Sequence, residues 1–321
     1  NMRFLKNFEL DVTYYNAKTM NQTFNPELPV GEYARIYIQT GAVRNQGLEL
    51  ALNYNNTWKD FTWNTGVTYS MNKNKILTLA DNAINPITRE KFSISSLNMG
   101  GLGSTRFILK EGGSMGDIYS LMDLKRDANG AVYIDENNSV VTESLEANNY
   151  IKLGSVLPKG NLAWRNNFSW KNINVAFLVS ARLGGVVFSR TQAVLDNFGV
   201  SEASAAARDK GYVSVNGNDR VNPEGWYSVV AGGTAVPQYY IYSATNIRLQ
   251  EASIGYTIPR KWLGNVGDIK VSLIGRNLWM IYNKAPFDPE SVASTDNFYQ
   301  GIDYFMMPSL RNIGFNLSFK F

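Results

Sequence analysis

Gly314-Phe315-Asn316-Leu317-Ser318-Phe319-Lys320-Phe321 alternates strictly, four apolar side chains interleaved with glycine, asparagine, serine and lysine. Successive side chains of an extended strand point to opposite faces, so this spacing makes one oily face and one wet face. A half-buried strand of a water-soluble protein shares the period. A run of this kind that finishes on an aromatic, however, is how the closing strand of a bacterial outer-membrane barrel ends, with its aromatics at the lipid interface.

The same period recurs along the chain. Phe4, Phe8, Leu10, Val12 and Tyr14 share one phase, as do Leu48 to Tyr54, Phe61 to Met71, Leu162 to Trp170, Ile173 to Leu183 and Ile269 to Trp279. The run near 243–258 slips phase between Leu249 and Ala252, which reads as a β-bulge. Eight strands follow, and segment 100–150, where the pattern is poor, leaves room for one or two more. The predicted fold is all-β: a transmembrane antiparallel up-and-down β-barrel, of which this chain carries about eight to ten strands.

Connection lengths point the same way. Short links fall at Thr57–Asp60, Lys171–Asn172 and Pro259–Asp268, and long segments at roughly 19–42, 79–157, 190–242 and 282–308. Short periplasmic turns opposite long external loops are a barrel pattern, and loops of that length are uncommon in compact soluble domains unless they carry function. Trp58, Trp170 and Trp262 then lie near the short-turn side, where an aromatic girdle belongs. A soluble two-layer β-sandwich stays open as the alternative, since alternation alone also suits a sandwich core.

The 321 residues contain neither cysteine nor histidine. A disulfide scaffold, thiol chemistry, a serine–histidine triad and zinc or haem sites with histidine ligands are therefore excluded. A net charge of +4 with interleaved signs gives no support for nucleic-acid binding. No run approaches the roughly 18 apolar residues of a membrane helix, which is uninformative for a barrel, whose strands show lipid only every second residue. The chain opens on Asn1 without an export signal, so an outer-membrane reading makes it the C-terminal part of something longer.

Several blocks in order resemble a known family. They are Asn45-Gln46-Gly47-Leu48-Glu49-Leu50 with Asn72-Lys73-Asn74-Lys75-Ile76, Gly154 to Gly160 with Leu183-Gly184-Gly185, and Ile247-Arg248-Leu249 with Ile254 to Pro259. Gly275-Arg276-Asn277-Leu278 with Phe287-Asp288-Pro289-Glu290 is the most specific, and Gly301-Ile302-Asp303-Tyr304, Pro308 and Arg311 lead into the last strand. Together they resemble the C-terminal part of SusC/RagA-like TonB-dependent transporters of the Bacteroidetes outer membrane; segment 79–150 matches poorly. The resemblance implies a barrel of about 22 strands with a plugged lumen. It also implies a SusD-like surface lipoprotein as lid, energy from the TonB complex, and an oligosaccharide or sometimes a peptide as cargo. The plug, the TonB-engaging segment and the first barrel strands have no counterpart in this sequence, so no residue here can be given the energy-coupling role.

Candidate site residues follow from these readings. Trp226, Tyr227, Tyr239, Tyr240, Phe298 and Tyr299 lie in the long loops and could stack on sugar rings or pack loop against loop or lid. Arg165, Arg182, Arg248, Arg276 and Glu251 have the phase of the inward face, where they would line the lumen or bridge to a plug. Asp135, Asn137, Ser139, Glu143 and Glu146 match positions of a calcium-loop template, but Val140 replaces its turn glycine, so an acidic solvated loop is the competing reading. Gly101-Leu102-Gly103 lacks the rest of a dinucleotide fingerprint, and no carboxylate pair stands out for glycoside hydrolysis; no enzyme activity is expected. Two other functions remain open, a passive porin-like barrel and a soluble carbohydrate-binding β-protein.

Overall fold

The structure is a computed structural model describing residues 1–25, 37–85, 88–233, 235–263, 267–294 and 299–320; Phe298 and Phe321 lie outside the described residues. A nine-stranded antiparallel sheet runs in chain order: β1 (Met2–Phe4), β2 (Phe8–Phe24), β3 (Ile38–Trp58), β4 (Phe61–Thr78), β5 (Gly160–Trp170), β6 (Ile173–Leu183), β7 (Asn246–Ile258), β8 (Asp268–Asn283) and β9 (Asn312–Lys320). Each strand pairs with its neighbours in sequence, the up-and-down arrangement expected. Among the described residues no strand of 79–157 enters this wall.

Register carries the alternation across the sheet. Leu10, Leu52, Val67, Trp164, Val179, Leu249 and Trp279 form one continuous row. Ile254, Leu273 and Phe315 form part of another. Apolar side chains this exposed (Leu273 55%, Phe315 81%) would be an aggregation liability in water and suit acyl chains instead. Thr65 and Asn166 are polar exceptions on this face. The Trp164 and Trp63 indoles cover them, donating to Thr65 Oγ1 and Asn166 Oδ1 at 3.1 Å each, so these two oxygens are not left bare in hydrocarbon.

The expected strand from Phe4 to Tyr14 is two strands. A turn at Leu5–Asn7 separates β1 from β2, and Phe4 folds back to stack on Phe8 at 5.4 Å. Register shifts at Leu178/Val179 against β7, and between Leu249 and Glu251 against β8, lie where the phase slip falls in the sequence.

β2, β3 and β4 have 17, 21 and 18 residues, against the roughly 9–11 that cross a bilayer, so their upper ends project beyond it. There Asn45 Oδ1 accepts from the Asn72 and Asn74 amides at 3.1 and 3.0 Å, and Asn74 Oδ1 accepts from the Met115 amide at 2.8 Å.

The long connections are folded rather than loose. Segment 79–159 builds a four-stranded sheet from Ser96–Leu102, Thr105–Lys110, Asp117–Ser120 and Ile151–Ser155. Val186–Ser189 pairs with Ile241–Ser243 and, in parallel, with Ile302–Asp303. Three helices follow β6: α1 (Arg190–Asn197), α2 (Glu202–Lys210) and α3 (Pro223–Val230). Ser189, Ser201 and Asn222 cap them by accepting backbone N–H bonds, and α2 stops at Gly211 with φ of 83°.

Phe107, Ile118, Leu124, Val156, Phe188, Tyr240 and Ile302 form the core of this cap. A second cluster joins Phe24, Val43 and Ile76 of the upper wall to Leu79, Leu97 and Leu109. Wall and cap therefore share buried surface. No helix among the described residues is long and apolar enough to cross a membrane, which says nothing of crossing by strands.

Candidate functional site

The polar face of the wall is the first candidate. Thr13, Glu49, Ser70, Asn161, Arg182 and Asn246 form one row across it. Asp11, Ala51, Thr68, Ala163, Ser180 and Arg248 form the next. Between them lies an open depression of about 450 Å³, lined by Asp11, Glu49 and Glu290 as well as Arg182 and Gln250. Both charge signs thus meet on one concave polar surface.

The five inward residues share this face but do different work. Arg165 is exposed. Arg276 Nε donates to Glu251 Oε2 at 3.0 Å in a solvent-exposed pair. Such a pair contributes little to stability. Arg182 donates to the Val156 carbonyl at 2.6 Å, tying β6 to the cap.

Arg248 is 7% exposed and does not offer its charge to the lumen. Its guanidinium grips Asp288 through two bonds, at 2.9 and 3.3 Å, meets Glu290 at 3.0 Å and donates to Asn246 Oδ1 at 3.2 Å. Ser309 donates to the same Asp288 carboxylate. Burial alone would push Asp288 up. The hydrogen bonds from Ser309, Arg248 and the Glu290 amide, with the Arg248 charge, outweigh it and hold the carboxyl below the usual range. Phe287-Asp288-Pro289-Glu290 is therefore a latch closing the β8–β9 connection onto β7.

The described loop aromatics do not gather into a stacking platform. Tyr240 is 2% exposed and its hydroxyl donates to Asp196 at 3.0 Å, so no sugar ring can reach it; burial and then the Asp196 charge push its phenol far up. Trp226 meets Tyr239 edge-on at 5.2 Å, and Trp226 packs on the cap core. Burial raises Tyr227 and Tyr239 as well. Tyr299, 43% exposed with its ring 6.1 Å from Phe107, is the most available. These rings are shared with the cap interior because the long connections fold on themselves.

The calcium-template residues are divided between a hairpin and the segments after it. Ile134 bridges Val140, and Asp135 Oδ1 accepts the Asn137 and Ser139 amides at 3.0 and 2.9 Å, closing a tight turn. Ser139 donates to the Gly225 carbonyl at 2.7 Å. Glu143 sits in a separate strand pairing with Asp123, and Glu146 precedes a short 3₁₀ turn. Among the described residues no three acidic, histidine or cysteine side chains converge as a metal-binding group.

Sequence reasoning missed two polar ties inside the cap. Ser189 Oγ donates to Asp303 Oδ2 at 2.6 Å, both buried, fixing the Gly301-Ile302-Asp303-Tyr304 block against α1. Asp196 accepts from Gln192 at 2.8 Å and from Tyr240. The Gly301 to Tyr304 block was the available signal for the first.

An oily face and a wet face held in register, tight turns at one end and a folded cap at the other define a transmembrane antiparallel β-barrel wall of the bacterial outer membrane. No protein-family model matches the chain. The chain is 26% identical to TonB-dependent receptor P3 of Formosa agariphila and 27% identical to TonB-dependent receptor P26 of the same organism, over 99% and 97% of its own length. It superposes on solved structures of the RagAB peptide importer in its closed-closed and open-open states, each with a TM-score of 0.68 at 16% identity, covering 97% and 99% of the chain. It spans about a third of these relatives (33% and 32%) and 33% of each of those solved chains. The chain thus resembles about a third of a TonB-dependent receptor and shares the fold of the matching third of the RagAB importer.

Proposed function

We propose that this chain supplies the C-terminal strands of the wall and the outer cap of an active importer of bulky nutrients. A plug, the TonB-engaging segment and the remaining strands would belong to the rest of the protein. A SusD-like surface lipoprotein would close over the cap, and the TonB complex would supply energy. The observation that carries this reading is one sheet whose outer face is apolar, whose inner face is charged, and whose external end is roofed by a cap latched to the wall. A freely conducting channel has no need of a latched roof.

Two cargo classes remain in the proposal, oligosaccharide and peptide. Arg182 beside Asp11, Glu49 and Glu290 suits the mixed charges of a peptide, while burial of Tyr240 and the packing of Trp226 on the cap core leave only Tyr239 and Tyr299 of the described candidates as exposed rings for a glycan. The geometry supports peptide over oligosaccharide.

Uptake measured in cells with and without TonB tests the reading. Import of the cognate nutrient should cease without TonB, whereas a passive porin would continue to admit it. Competition with defined peptides and oligosaccharides then separates the cargo classes.

A further inference from the structure

The short-turn end of the wall carries a repeat that transport does not use. Three successive turns each place a tryptophan beside a lysine: Trp58-Lys59 between β3 and β4, Trp170-Lys171 between β5 and β6, and Lys261-Trp262 between β7 and β8. The remaining turn, between β1 and β2, carries Lys6. Across the four turns Lys6, Lys59, Lys171 and Lys261 outnumber the two acids, Asp60 and Asp268.

The indoles are open, with Trp58, Trp170 and Trp262 at 47%, 54% and 67% exposure, and the four lysines are exposed too. Lys171 Nζ lies 5.4 Å from the centre of the Trp170 ring.

Two features show that the rim is built for its charge. Lys6, Lys59 and Lys171 take φ of 62°, 51° and 50°, where glycine or asparagine would sit at lower cost. Backbone bonds also tie three of the turns to a neighbouring turn or strand. The Lys171 amide donates to the Asp60 carbonyl at 3.0 Å, Asn55 to Asn7 at 3.0 Å and Thr257 to Asn172 at 2.8 Å. Turns recurring every second strand are spaced by about 10 Å, twice the interstrand distance, so the lysine-bearing turns form a row along one end of the wall.

We propose that this rim binds anionic phospholipid headgroups of the membrane leaflet at the short-turn end, each indole seated at the interface and each neighbouring lysine reaching a headgroup phosphate. The recognised chemistry is a lipid phosphodiester bearing net negative charge. It fixes the height and tilt of the wall in the bilayer.

Native mass spectrometry of the full-length protein, released from nanodiscs of equal phosphatidylglycerol and phosphatidylcholine, reads the retained lipids. Wild type should retain phosphatidylglycerol preferentially. Lys59→Asn/Lys171→Asn/Lys261→Asn should lower that preference at least about fivefold, the effect expected for one surface lysine, and the matching arginine variant should keep it.

Asparagine tolerates the positive φ at positions 59 and 171, so the folded, heat-modifiable band should persist; if the triple variant does not assemble, the single variants carry the same measurement. Equal retention of both lipids by wild type would overturn the proposal, as would an unchanged ratio in the asparagine variants or loss in the arginine variant. Displacement of the retained lipid by millimolar inorganic phosphate would show a free-anion site instead and would overturn it as well.

Discussion

Arg248 and Asp288 are both nearly buried and joined by two hydrogen bonds. A buried ion pair adds little net stability over a well-packed apolar pair, yet removing one member strands the other charge at about 3–5 kcal/mol. Arg248→Ala should therefore release the 284–309 connection, seen as faster proteolysis there with the wall intact. Arg248→Met combined with Asp288→Leu should recover part of the loss. Equal protection of wild type and Arg248→Ala would remove the latch.

The same carboxylate sets an acid limit. Its folded pKa is lowered, so its contribution is fully present above the ordinary carboxylate value of about 3.9 and fades as pH falls through the lower folded value. Pepsin cleavage of this connection should stay slow down to about pH 4 and accelerate below it, relative to a pH-insensitive cleavage site. Asp288→Asn should abolish that transition, and persistence of the transition in this variant would assign it elsewhere.

At the level of elements, the wall was legible because lipid and lumen impose opposite demands on alternate residues. Ile173, Val175, Phe177 and Val179 announce β6 without any knowledge of its partners. The cap was not legible for the opposite reason. Its strands are short, such as Asp117–Ser120 with four residues, all buried, and buried on both sides they show no alternation. Its ties join residues far apart in sequence, such as Ser189 with Asp303, and only packing brings such pairs together. Arg248 had the correct phase for the inner face, yet its partner lies 40 residues away, so the phase could not reveal that its charge is spent inside the protein.

Depth makes the wall testable. β6 has 11 residues, close to one bilayer crossing. Val179 lies near the middle of the oily face and Ile173 at its short-turn end. Val179→Arg should destabilise the assembled barrel by about 2–4 kcal/mol and Ile173→Arg by about 0–1. Equal costs in a urea titration in lipid would mean that this face does not look into a bilayer.

For the whole molecule the decisive fact is that the described sheet does not close. β9 pairs only with β8, and β1 covers β2 only from Phe8 to Leu10, so the outer edge of β9 and most of that of β2 are bare among the described residues. In hydrocarbon each unpaired N–H or C=O costs several kcal/mol. Two such edges exceed the roughly 5–15 kcal/mol by which a folded domain is stable. The cap cannot compensate, because it buries the upper wall rather than the edges within the acyl layer. Further strands must cover these edges, or they must meet each other in a narrower ring at the expense of the registers seen here. Expressed alone and refolded into detergent or lipid, residues 1–321 should give no fast-migrating band on a heat-modifiability gel, while the full-length protein should give one. A stable fast band from the isolated chain would show that these strands close on themselves, and the wall would then be a small complete barrel rather than part of a large one.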